Sequence, residues 1–258
     1  MSPDDPGTAL LLEVLERSRA RGFLGEAPLD AQIRHALGFA WARDRVSPPA
    51  VEGASDPPLP GGPPQTAFRG TWMDLGSGGG LPGLVLAAYW PNASAILLDS
   101  ATRRTDVLVE AVRTLGWEDR VQVVRARAED AGRDPGLRGR LDVVVARSFG
   151  PPAVTAECAA PFLVPDGLLV VSEPPSDAAA GVPGPGGPAR DDGGAASERW
   201  PPAALAELGL EAVARVQGMY GYQVLRQRTP CPERFPRRPG IPSKRPLWRS
   251  GTGSKASP

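Results

Sequence analysis

Apolar residues recur at helical spacing twice near the start of the chain. Leu10, Leu11, Val14 and Leu15 predict a helix over 9–20. Asp30 is placed to cap a second helix over 31–43, whose apolar set is Ile33, Leu37, Phe39 and Trp41. At Thr71 the pattern changes. Short apolar runs predict strands at 71–75, 95–98, 121–124, 141–145 and 168–171. Helical spacing lies between them at 84–90, 101–115 and 153–163, and again at 201–208. Two further runs, 210–216 and 222–226, read as a closing pair of strands. Short apolar strands alternating with helices predict an α/β domain: a parallel sheet with helices on both faces.

The same pass divides the chain. Residues 1–45 form an N-terminal helical extension. Residues 46–68, rich in Pro, Gly, Ser and Ala, read as a linker. The main domain spans 69–228 and contains, at 176–197, a stretch of Ala, Gly, Pro and Asp with almost no large apolar side chain. Such a stretch cannot bury enough surface to order itself and is expected to be a disordered insertion. Residues 229–258 form a basic arm.

Charge sharpens that last division. The 258 residues have a formal net charge of zero. Nine of the bases nevertheless fall after position 225, against the single acid Glu233, so this end carries +8 and the remainder −8. Such asymmetry points to an anionic partner; a basic tail with no defined partner is the plainer alternative. Cys158 and Cys231 show no CxxC spacing, which argues against a metal site or a disulfide framework. The first residues are polar and acidic, and no run approaches the roughly 18 apolar residues of a membrane span. The chain reads as soluble, cytoplasmic and monomeric, with no membrane partner.

The chemistry concentrates in one stretch, "DLGSGGGLPG", from Asp74 to Gly83. It follows a predicted strand and precedes a predicted helix. Gly76, Gly78 and Gly80 permit tight turning and close approach of a ligand to the backbone. No lysine is present for a phosphate-binding P-loop, and the spacing is not G-x-G-x-x-G. Asp74 ahead of three alternating glycines gives the D-x-G-x-G-x-G pattern of enzymes that use S-adenosylmethionine (SAM). Asp99 ends the next strand, 23 residues after Gly76, where a carboxylate can accept from both ribose hydroxyls. Capping of the following helix is the other reading of Asp99. A ligand-free glycine turn is the other reading of the loop.

With "LLDSATRR", "RAED", "VVARSFG" and the distant "RFPRRPGIPSKRPL", this stretch resembles the RsmG (GidB) family. That family methylates N7 of a guanine in 16S, small-subunit, ribosomal RNA with SAM. The resemblance covers about 71–171 and 234–247, and Leu81-Pro82-Gly83 is more specific to it than the glycines. It implies a Rossmann-like class I SAM-dependent methyltransferase, with ribosomal RNA or the small subunit as partner and no metal. It also implies roles. Gly76 and Leu81 would line the methionine end of SAM, Asp74, Gly78 and Gly80 would complete the cofactor loop, and Asp99 would hold the ribose. Ala128 and Glu129 would flank the adenine. Arg147 would sit by both cofactor and target base as the catalytic residue, although a surface arginine at a strand end is the bland reading. Arg237, Arg238, Lys244 and Arg245 would contact phosphates, and Phe235 and Trp248 would stack on bases. His35 reads as a packed helix residue.

The chain departs from the family at the end of the fifth strand. Glu173 stands at or next to the place of a family lysine, exchanging a cation for an anion near the expected RNA. That exchange favours a second reading, a methyltransferase acting on another RNA or a small molecule. A third is a non-catalytic module that binds SAM and RNA. A nicotinamide-linked oxidoreductase fits least, lacking the glycine spacing and a proton-transfer histidine.

Overall fold

The computed structural model of the protein describes residues 6–47, 67–174 and 199–249. The predicted insertion and most of the predicted linker lie outside the described residues.

Seven strands form one sheet in the order β3-β2-β1-β4-β5-β7-β6. Strands β1 (Thr71–Leu75), β2 (Ser94–Asp99), β3 (Val121–Arg125), β4 (Leu141–Ala146) and β5 (Leu163–Glu173) run parallel. The closing hairpin, β6 (Leu210–Gln217) and β7 (Gly221–Gln227), is antiparallel, and β7 inserts between β5 and β6. The helices are α1 (Pro6–Ala20), α2 (Leu29–Val46), α3 (Gly83–Tyr89), α4 (Thr102–Thr114), α5 (Ala128–Ala131), α6 (Pro152–Ala159), α7 (Pro202–Glu207) and α8 (Ile241–Lys244).

Strand side chains alternate between faces, and two cores follow. Trp72, Val143, Val145, Leu168, Val170 and Val224 share one core with residues of α1 to α4. Met73, Leu75, Val144, Leu169, Val171 and Leu225 share the other with residues of α5 to α7 and Phe235. On the first face, Trp90 sits edge-on to both Trp72 and Phe68, at ring-centroid distances of 5.2 and 5.0 Å. A fully buried aromatic of this kind contributes about 2–3 kcal/mol by apolar burial alone. The predicted N-terminal extension is therefore part of the first core and not an appendage to it.

Two helix ends differ from expectation. Asp30, expected to cap α2, lies within its first turn: the helix starts at Leu29, with Pro28 at the N-cap and no side-chain capping bond. The helix predicted over 153–163 ends at Ala159 and passes into a single 3-10 turn, Ala160–Phe162. Pro161 has no N–H to continue the α ladder. Strand β5 accordingly begins at Leu163, five residues early. A shift in its pairing with β4 lies between Leu141 and Val143, with Asp166 at φ 64°.

Candidate active site

The C-terminal ends of β1 to β5 lie along one edge of the sheet. The strand order reverses between β1 and β4, the switch point at which open α/β sheets take ligands. Asp74, the glycine loop, Asp99, the start of α5 and Arg147 all gather on that edge.

The loop after β1 is held across β2 by Gly76 and Ser77, whose N–H groups donate to Leu98 O at 2.8 and 3.0 Å. Gly76, Gly78 and Gly80 have φ of 78°, 55° and 103°, a region that only glycine enters without strain. Leu81 is buried, and the Leu81–Pro82 bond is cis. Gly83 answers to a different demand. Its N–H donates to Asp74 Oδ2 at 2.8 Å. A Cβ there would lie 2.6 Å from that oxygen and 2.6 Å from Leu97 Cδ2. Leu-Pro-Gly therefore returns the chain to Asp74 with bare backbone facing the carboxylate.

Asp74 is wholly buried, and its Oδ1 has no hydrogen-bond partner among the described residues. Burial pushes its pKa up to about 7, against the opposing pull of the Gly83 N–H, Ser77 and Arg147. Asp99 accepts the Gly78 N–H on Oδ2 at 2.9 Å and the Ala101 N–H on Oδ1 at 2.8 Å. Each oxygen retains a lone pair for a further donor. Asp99 thus ties the glycine loop to the turn entering α4, so its helix-entry role and an acceptor role coexist.

Arg147 follows β4 and is half-buried, with Ser148 after it at φ 52°. Its guanidinium makes no hydrogen bond or ion pair with a described residue. Burial lowers its pKa, opposed by Asp74, Tyr222 and Tyr220. Tyr220 and Tyr222 belong to the β6–β7 hairpin, beyond β5 in the sheet order. Tyr222 Oη donates to His35 O at 2.6 Å and Tyr220 Oη to Ala31 O at 2.9 Å, tying the β6–β7 hairpin to α2. The His35 ring stacks on Tyr220 at 4.4 Å, and its Nε2 is buried without a partner among the described residues. Burial, reinforced by Arg147, pulls the His35 pKa down to about 4, so the ring is neutral at pH 7. On the opposite side, Ser18 Oγ of α1 donates to Gly79 O at 2.7 Å, fastening the N-terminal helix to the glycine loop.

Ala128 and Glu129 open α5 directly after β3. Both are buried, and Glu129 Oε1 accepts the Gly240 N–H at 2.8 Å. The carboxylate is thus joined to the C-terminal segment.

That segment corrects several expectations. Residues 228–249 are docked on the domain and are not a free arm. Arg138 donates to the carbonyls of Gly132, Phe235, Cys231 and Pro232 at 2.8–3.0 Å. Arg237, expected on phosphate, is bound to the fully buried Glu157. Its Nε and Nη2 reach the two carboxylate oxygens at 2.8 and 2.6 Å, and its backbone N–H adds a third bond at 2.9 Å. Phe235, expected to stack on a base, is 3% exposed and packs in the second core. Trp248, likewise expected to stack, is half-buried against that core and donates its Nε1–H to Arg199 O at 2.9 Å. Arg238, Lys244 and Arg245 remain exposed.

Glu173 is also not the free anion its position suggests. It is 8% exposed, accepts Arg199 Nε and Nη2 at 2.7 and 3.4 Å, and accepts Trp200 Nε1 at 3.1 Å. Its charge is neutralised in place. Phe149, against Gly76, and the Tyr220/Tyr222 pair went unrecognised in the sequence. The two tyrosines flank a glycine at a hairpin start, a pattern with no chemical signature of its own.

Among the described residues, no cluster of three or more His, Cys, Asp or Glu is placed to hold a metal ion, and no helix is long and apolar enough to cross a membrane.

The sheet order and this edge define a class I, Rossmann-like methyltransferase fold. An O-methyltransferase from Bacillus cereus, solved in complex with SAH, superposes with a TM-score of 0.54 at 13% identity, covering 88% of this chain and 93% of that one. The family model for rRNA small subunit methyltransferase G (GidB) matches residues 64–174. Two proteins named ribosomal RNA small subunit methyltransferase G are each 36% identical. The one from Parasynechococcus marenigrum aligns over 182 residues and the one from Prochlorococcus marinus over 178. The alignments cover 68% of this chain and 66% and 67% of those relatives, so the chain spans about two thirds of their length. The chain belongs to the rRNA small subunit methyltransferase G family.

Proposed function

We propose that the protein transfers a methyl group from SAM to N7 of a guanine in small-subunit ribosomal RNA. One observation carries the reading. The wholly buried Asp74 stands behind the glycine loop on the same edge as Arg147; among the described residues Asp74 Oδ1 has no hydrogen-bond partner and Arg147 no ion pair. A buried carboxyl poised to ionise against a cation, and a guanidinium with its donors free, complement an amino-acid zwitterion such as the methionine end of SAM. The spare lone pairs of Asp99 suit the ribose hydroxyls, Gly76 and Leu81 the methionine chain, and the buried start of α5 at Ala128 and Glu129 the adenine.

The cofactor supplies an electrophilic methyl on a sulfonium. Guanine N7 carries an in-plane lone pair and has no proton to lose, so the chain need not provide a base. This agrees with His35, held neutral and stacked on Tyr220, and too weak a base for proton abstraction. The residues of the edge then act by alignment. Arg147, with five donors in a planar fork and none of them used by a described residue, suits guanine O6, leaving the N7 lone pair free to attack. Arg238, Lys244 and Arg245 are assigned to phosphates; Arg237 is not. Glu173 was the observation favouring another acceptor, and its pairing with Arg199 removes that support.

Calorimetry with SAM, SAH and NAD tests the cofactor. Labelled-methyl transfer to small subunits, naked ribosomal RNA and a metabolite extract tests the acceptor. Tight SAM binding with label entering only a small molecule would overturn the RNA assignment.

A further inference from the structure

Strand β7 runs from Gly221, opposite Glu173 at the cofactor edge, to Gln227 near the other edge of the sheet. The chain then climbs back across the second face. It passes the Arg138 clamp, the Glu157–Arg237 pair and the Gly240–Glu129 bond, and returns to the cofactor edge, where Trp248 meets Arg199. The exposed cations Arg238, Lys244 and Arg245 are delivered along this final stretch. Their placement depends on what fastens the strap midway.

Glu157 is that fastening. It lies on α6 and is 0% exposed, and among the described residues Arg237 supplies all three hydrogen bonds to its carboxylate. Arg237, with 28% of its side chain exposed, has a route to water, whereas Glu157 has none. Strap release would therefore leave a buried carboxylate unpaired, which strongly favours the closed strap. Residues touching the reacting groups lie elsewhere. We propose that Glu157 is a positioning residue for RNA: through Arg237 it fixes the strap so that Arg238, Lys244 and Arg245 meet phosphates beside the cofactor edge. This rests on the RNA-methyltransferase reading above.

The test is steady-state methyl transfer to small-subunit RNA by the full chain, with salt dependence of RNA binding alongside. Glu157→Gln keeps the side-chain shape and removes the charge that holds Arg237. It should raise KM for RNA about tenfold, as expected for losing charge-assisted hydrogen bonds. The kcat at saturating RNA and the SAH affinity should change less than twofold. Arg237→Lys, at a partly exposed site, should shift KM the same way by a smaller factor and serves if Glu157→Gln folds poorly. Lys244→Gln/Arg245→Gln should also raise KM and reduce the slope of log K against log salt by about 1.5. Combined with Glu157→Gln, it should add less than the product of the separate effects, because Glu157 acts through those cations. A purely structural role would lower kcat and KM performance together and multiply independently. Unchanged KM in Glu157→Gln and Arg237→Lys, with active wild type, overturns this inference alone. Wild type that methylates no RNA overturns the reading beneath it.

Discussion

Replacing Asp74 by asparagine separates what the residue costs the fold from what it offers a ligand. The carboxylate is wholly buried, and its pKa stands at about 7 against an ordinary 3.8. An acid whose folded-state value is raised keeps its proton where the unfolded chain has lost it. Stability is then fully present below pH 4 and is lost as pH rises through the folded value. Three pH units at 1.36 kcal/mol each amount to about 4 kcal/mol by pH 8. Asp74→Asn preserves an oxygen for the Gly83 N–H and removes this titration. The new amide N–H groups lack partners, which costs about 1–3 kcal/mol at every pH. Thermal melts of the cofactor-free protein from pH 5 to 8 read the outcome. The variant should be less stable than wild type, or equal to it, at pH 5, and should overtake it by pH 8. Between pH 5 and the folded value near 7 the difference should grow by about 1 kcal/mol per pH unit, or roughly 2–4 °C in Tm, and then level off. SAH should bind the variant at least tenfold more weakly, since no carboxyl remains to ionise against the ligand's ammonium. A stability difference that does not change with pH would show that Asp74 is ionised in the free fold, and would refute the electrostatic argument.

Other perturbations probe the same edge. Gly83→Ala puts a Cβ 2.6 Å from Asp74 Oδ2 and from Leu97; it should cost about 2–4 kcal/mol in denaturant melts, from overpacking and a strained hydrogen bond. Arg147→Ala removes a half-buried cation with no partner among the described residues. It should leave Tm unchanged or higher while methyl transfer falls by about 100-fold; a parallel loss of both would make Arg147 structural. Glu173→Gln breaks the pair with Arg199 and should destabilise the domain by about 1–3 kcal/mol in denaturant melts. It should not raise transfer to RNA; a large gain would mean that Glu173 repels the substrate after all.

The parts of the site read from sequence are those where chemistry follows from spacing within one segment. The strand, glycines and helix around Asp74 are contiguous, so their geometry is written in the order of residues. Asp99 follows from the length of a βα unit. The N-terminal helices were legible as helices, but not as part of the first core, because a run of apolar residues does not say what will cover it. Charge pairing was the least legible. Arg237 and Glu157 are 80 residues apart, and Glu173 meets Arg199 across 26 residues. Composition counts Arg237 as one more cation on a basic tail, while the fold pairs it with a buried anion. The same blindness made Glu173 look like a free anion at the RNA side. Its partner lies beyond a low-complexity stretch that carries no periodicity to follow. Phe235 and Trp248 suffered the opposite error, since an aromatic beside arginines suggests stacking on bases until a core is there to receive it.

The central claim is that this edge methylates N7 of a guanine in small-subunit ribosomal RNA without a base. Nucleoside mass analysis of small-subunit RNA, incubated with the protein and methyl-labelled SAM, tests it most directly. The account predicts label in 7-methylguanosine at one site per RNA, and loss of that label in Arg147→Ala. Label in any other nucleoside, or none in RNA while SAM binds, would contradict it.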